Sequence, residues 1–170
     1  QIRSSSPALD AFRQNLFEQL ADSASPADLA RLPDKPLHRE LLARGIADKD
    51  KLAHIGWSYG GFSALAGGAL TPDLYKCVVS IAGVSDLKTM LGHEKREHGA
   101  ESRTYAYWKS VIGDPDRDSA AIEAVSPYRL AANFKAPVLL IHGSDDLVVP
   151  DRHSDLMEQA LKSANKPVTY

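Results

Sequence analysis

One short segment constrains this chain more than any other. Lys51 to Gly56 (K-L-A-H-I-G) reads as a strand, and it runs into Gly56-Trp57-Ser58-Tyr59-Gly60. A helix fits from Tyr59 to Leu70, with Ala64, Ala66, Gly67 and Gly68 small enough for close contact with a sheet. A G-x-S-x-G pentapeptide between a strand and a helix predicts a tight, strained turn. Small residues two before and two after the serine keep neighbouring side chains from clashing there. The serine hydroxyl is then held clear of the strand end, at a helix N-terminus whose free N–H groups and dipole favour negative charge. Ser58 is therefore the candidate nucleophile, and the backbone N–H of Tyr59 is a candidate oxyanion donor.

The rest of the chain supports an α/β reading. Cys77 to Ala82 (C-V-V-S-I-A) and Pro137 to His142 (P-V-L-L-I-H) are apolar, β-rich runs expected for buried parallel strands. Helices are expected over Tyr105 to Ile112, over Ser119 to Val125, from Ser126-Pro127, and over Asp151 to Ala164. Asp86 to Arg103 is polar with charges of both signs and reads as an exposed connection or cap. Residues 1–41 form a helical N-terminal segment in which Leu9, Phe12, Leu16 and Leu20 share a face. Ser25-Pro26 opens a second short helix, and Pro36 to Arg44 forms another, stopped by Gly45. Alternating strands and helices predict a parallel sheet with flanking helices.

Composition removes several function classes. The 170 residues suit one domain, and 44% hydrophobic with 25% charged is ordinary globular composition. A formal net charge of −2 lacks the clustered positive excess that nucleic acid or an anionic membrane surface requires. No apolar run reaches the ~18 residues of a membrane span, and no signal peptide leads the chain. A soluble protein is expected, in a compartment the sequence leaves open. The single Cys77 cannot form an internal disulfide and reads as a structural thiol. Six histidines and one cysteine show no metal-ligand spacing, and neither metal nor cofactor is expected.

A second chemical signal follows the third strand. Gly143-Ser144-Asp145-Asp146-Leu147-Val148-Val149-Pro150 places two carboxylates just past its end, where open α/β sheets build their sites. Serine first and aspartate later is the chain order of α/β-hydrolases.

Several segments in order carry a closer likeness: G-W-S-Y-G-G-F-S-A-L-A, T-P-D-L-Y-K-C-V-V-S-I-A-G-V-S-D-L, Y-W-K-S-V-I-G-D-P, V-S-P, and A-P-V-L-L-I-H-G-S-D-D-L-V-V-P. Together they resemble the catalytic domain of the prolyl oligopeptidase family of serine peptidases, over 42–170. The resemblance implies a partial α/β-hydrolase fold and hydrolysis of peptide bonds in oligopeptides through a Ser-Asp-His triad and an acyl-enzyme. It implies Ser58 as nucleophile, Tyr59 N–H as oxyanion donor, and Asp146 as acid, with Asp145 its rival. The family's histidine follows the acid beyond another strand, and no histidine follows His153. The chain is thus expected to be a portion of a catalytic domain that keeps nucleophile and acid without the base. An esterase using the same turn, or a non-catalytic module binding peptides or a partner chain, are the alternatives. The oligomeric state is left open.

Overall fold

The computed structural model describes Leu42 and residues 44–170. The expected helices before Arg44 therefore lie outside the described residues, apart from Leu42 itself. Gly45 does adopt the left-handed conformation of a helix stop, at φ 67°, and its N–H donates to the Leu42 carbonyl at 3.1 Å.

Among the described residues, four strands form one parallel sheet: β1 (Ala53–Trp57), β2 (Cys77–Ile81), β3 (Val138–Ile141) and β4 (Val168–Thr169), in spatial order β1-β2-β3-β4. Helix α1 (Tyr59–Leu70) joins β1 to β2. Between β2 and β3 lie α2 (Leu87–His98), α3 (Arg103–Ile112), α4 (Ser119–Ala124) and a 3-10 helix, Pro127–Asn133. Helix α5 (Arg152–Ser163) leads into β4. This is the parallel, helix-flanked sheet of an α/β-hydrolase.

The small residues of α1 bring the helix onto the sheet. A Cβ on Gly68 would lie 2.7 Å from Phe134 Cε1 and 2.9 Å from Val78 Cγ2, so glycine sets the depth of contact. Ala64, Leu65, Val78, Phe134, Leu140 and Met157 form the fully or nearly fully buried core between α1, the sheet and α5. A second cluster joins Phe62 and Ala66 of α1 to Leu87, Met90 and Leu91 of α2 and to Ile112 and Ile122.

Two expectations need correction. Asp86 to Arg103 is not an open connection: most of it is α2, capped by the Asp86 carboxylate accepting the Lys88 N–H at 3.1 Å. Its buried face is Leu87, Met90, Leu91 and Glu94. Among the described residues, moreover, helices cover the strands on one face only. On the other, Ile55 is 63%, Trp57 73% and Ile141 46% exposed. The register aligns Ile55 with Val79 and Leu139, and Trp57 with Ile81 and Ile141, as a continuous apolar surface. Cys77, on the same face, is half-buried and free rather than fully enclosed.

Candidate active site

The turn from β1 to α1 is strained where the pentapeptide predicts. Ser58 sits at φ 56°, ψ −119°, a conformation that non-glycine residues rarely adopt and that the surroundings must enforce. Its N–H donates to the Ile81 carbonyl at 2.8 Å, and its own carbonyl accepts the Phe62 N–H at 3.1 Å. The backbone is thus pinned from both sides, while the hydroxyl makes no capping hydrogen bond to α1. Tyr59 is the first residue of that helix, so its N–H has no intrahelical acceptor.

The glycines divide the steric work unevenly. A Cβ on Gly56 would collide with the Gly60 carbonyl, whereas one on Gly60 meets nothing within 4 Å. Gly60 contributes its backbone to the crowding, and the tight contact on the helix side belongs to Gly61.

Beyond β3, the two adjacent aspartates behave differently. Asp146 Oδ1 accepts the Val148 and Val149 N–H groups at 2.9 and 3.0 Å. Those bonds, foremost that from Val149, hold its carboxyl below the usual range against the opposing effect of burial. Its Oδ2 lies 3.8 Å from His142 Nε2. Asp145 is exposed, and among the described residues no hydrogen bond holds its carboxylate.

The histidines nearest this loop are structural. His142 Nε2 lies 2.8 Å from the Val149 carbonyl and Nδ1 lies 2.7 Å from Ser154 Oγ. A neutral ring protonated at Nε2 satisfies both contacts, by inference from the network. His153 is fully buried, and its Nδ1 accepts from the Ser85 and Asp86 N–H groups at 3.3 and 3.4 Å. Loss of hydration depresses its pKa to about 4 and holds it neutral.

A cavity of about 240 Å³ opens beside Ser58. Tyr59 and Phe62 come from α1, Met90 and Glu94 from α2, Trp108 from α3 and Val149 from the aspartate loop. The loop following β3 and the turn following β1 therefore meet at one apolar pocket. Sequence reading missed this pocket. Neither Trp108 nor Glu94 carries a sequence motif that points to it. No group of three metal-ligating side chains occurs among the described residues. No described helix is long and apolar enough to cross a membrane.

Comparison with known proteins places this geometry in context. The chain is 34% identical over 136 residues to dipeptidyl aminopeptidase BIII of Pseudoxanthomonas mexicana, spanning 75% of this chain and 18% of that protein. It is 33% identical over 121 residues to the uncharacterized peptidase YtmA of Bacillus subtilis, spanning 71% of this chain and 44% of that one. Among solved structures, Pyrococcus horikoshii acylaminoacyl peptidase superposes with a TM-score of 0.66 at 29% identity, over 78% of this chain and 20% of its own. The chain thus corresponds to under half the length of each of these proteins. A sequence profile described as the Prolyl oligopeptidase family matches residues 36–170, which takes in the Ser58 turn, the pocket helices and the aspartate loop. By that match the chain belongs to the prolyl oligopeptidase family of peptidases.

Proposed function

We propose that this chain carries the nucleophile, one oxyanion donor and the acid of a serine peptidase acting on oligopeptides. The observation that carries the reading is the strained Ser58, whose hydroxyl α1 does not use and which opens onto an apolar pocket. Ser58 Oγ adds to a peptide carbonyl while its proton passes to a base. The carbonyl oxygen takes up charge at the Tyr59 N–H, aided by the α1 N-terminus. The C–N bond then breaks, the amine leaves with the proton, and water hydrolyses the resulting ester.

The base in this reading is a histidine from outside the described residues, as the family resemblance implies, and the two histidines nearest the aspartate loop, His142 and His153, are already engaged by backbone groups and Ser154. The acid comes from the pair after β3. Asp146 already spends one oxygen on the loop's own N–H groups, whereas the carboxylate of Asp145 is unengaged and exposed. The bonds to Asp146 engage only Oδ1 and orient the side chain, leaving Oδ2 for an incoming imidazole, so Asp146 is the acid in this reading and Asp145, held by no hydrogen bond, its rival. The pocket takes the side chain on the acyl side of the cleaved bond.

A serine-directed fluorophosphonate probe tests the nucleophile, using the chain together with whatever its reading frame encodes on either side. The expected result is labelling that Ser58→Ala abolishes. Absence of labelling, or labelling that survives this substitution, would overturn the assignment. Hydrolysis of peptide amides rather than only activated esters distinguishes a peptidase from an esterase.

A further inference from the structure

The pocket beside Ser58 is apolar along most of its wall, with one exception. Glu94 lines it, is only 4% exposed, and has an Oε2 that accepts no hydrogen bond. It follows Leu87, Met90 and Leu91 on the buried face of α2, where a further hydrophobe would complete the stripe. The nearest cationic candidate is His98 Nε2, 3.5 Å from Oε2, on a side chain that is half exposed. A buried carboxylate with a bond-deficient oxygen is costly unless a donor arrives to complete it.

Resting on the reading of this cavity as the side-chain subsite of a serine peptidase, we propose that Glu94 selects substrates with a lysine or arginine side chain there. The aliphatic stem of such a residue lies along apolar surface while its head group seeks an anion. Phe62, Met90 and Trp108 supply that surface, and the Trp108 ring adds a face that attracts a cation. The Glu94 carboxylate supplies the anion, and the substrate supplies N–H donors for an oxygen that lacks them. An uncharged stem of the same length fills the walls equally well but leaves Glu94 as it was. The acid therefore discriminates by charge, not by size.

Binding separates this proposal from the catalytic one, because it requires no turnover. Acetylated dipeptide amides ending in lysine, arginine, norleucine or tyrosine are titrated calorimetrically into the full chain bearing Ser58→Ala. The expected result is binding of the lysine and arginine peptides at least tenfold tighter than norleucine or tyrosine. In folded Glu94→Gln, checked by circular dichroism, that preference collapses to within about twofold. Equal or tighter binding of norleucine or tyrosine overturns the proposal, and so does no binding of any peptide. A basic preference that persists in Glu94→Gln overturns the role of Glu94. Should Glu94→Gln fail to fold, the ranking of the four peptides on the Glu94 protein decides. Probe labelling of Ser58 together with a non-basic ranking would leave the peptidase reading standing and this inference refuted.

Discussion

Gly61 and Gly83 meet backbone against backbone: a Cβ on Gly61 would stand 2.7 Å from Gly83 Cα, and one on Gly83 would stand 2.8 Å from the Gly61 carbonyl carbon. This contact seats the first turn of α1 against the exit from β2, directly behind Ser58. Ser80 Oγ reinforces it by donating to the Gly61 carbonyl at 3.2 Å. Neither backbone can retreat without moving the turn, so Gly61→Ala and Gly83→Ala are expected to cost about 1–3 kcal/mol each. Gly60→Ala meets open space and should not destabilise. Thermal denaturation of the three variants checks the ranking, and an equal loss in all three would refute it.

The two aspartates of the loop should separate by phenotype. Asp146→Asn weakens the acceptor for two N–H groups and is expected to lower stability, by about 1 kcal/mol for hydrogen bonds of this kind. Asp145→Asn should leave stability within about 0.5 kcal/mol, as an exposed substitution does, and keep most fluorophosphonate labelling of Ser58, whereas Asp146→Asn should sharply reduce that labelling. The pH dependence has a defined sign. Because the folded Asp146 carboxyl is held below its ordinary value, its contribution is present above about pH 4 and is lost as pH falls through the lowered folded pKa. Chemical denaturation at pH 7 and pH 3 should therefore show a smaller difference for Asp146→Asn than for the parent chain.

Much of this arrangement was legible from the residues, for physical reasons that differ by element. Helix α1 was read at its observed bounds because the glycine and alanine spacing and the Thr71-Pro72 break are local signals. β2 and β3 are legible because short apolar runs bounded by turn residues, here C-V-V-S-I and V-L-L-I, read as buried strands. Helix α2 was missed because its apolar stripe is short and ends in Glu94, so its periodicity is hidden by lysines, histidines and glutamates on the other faces. The pocket was invisible for a different reason: it forms from three helices and several connecting segments, a tertiary juxtaposition that no local pattern encodes. The different surroundings of Asp145 and Asp146 likewise depend on which carboxylate turns toward the loop backbone, and adjacent identical residues carry no signal for that.

His153 predicts an acid-sensitive fold. Its ring is buried and neutral in the folded chain with a pKa of about 4, whereas an unfolded histidine titrates near 6.5. Between those values the unfolded chain binds a proton that the folded chain refuses. Stability attributable to this residue is therefore intact above about pH 6.5 and falls as pH drops toward 4, by roughly 1.4 kcal/mol per unit at most. His153→Gln, which keeps an acceptor for the Ser85 and Asp86 N–H groups, should flatten that part of the stability profile. Denaturant titrations at pH 7.5, 6 and 5 measure it, and parallel profiles for the two proteins would remove His153 as the cause.

The open face of the sheet predicts how the 170-residue chain behaves in solution. A parallel sheet is ordinarily covered on both faces, yet Ile55, Trp57 and Ile141 lie exposed while α1 and α5 cover the opposite side. An apolar surface of this continuity attracts another apolar surface, whether a dye or a second chain. The chain is expected to bind 8-anilinonaphthalene-1-sulfonate and to self-associate as its concentration rises. Ile55→Lys with Ile141→Glu places charge on the outer strand β1 and on the internal strand β3 of that face, without touching the core beneath α1. The double variant should lose most dye binding and sediment closer to a monomer, with a thermal midpoint that changes little because both parent side chains are substantially exposed. Undiminished dye binding by a folded double variant would show that the apolar surface responsible lies elsewhere, the pocket beside Ser58 being the first place to examine.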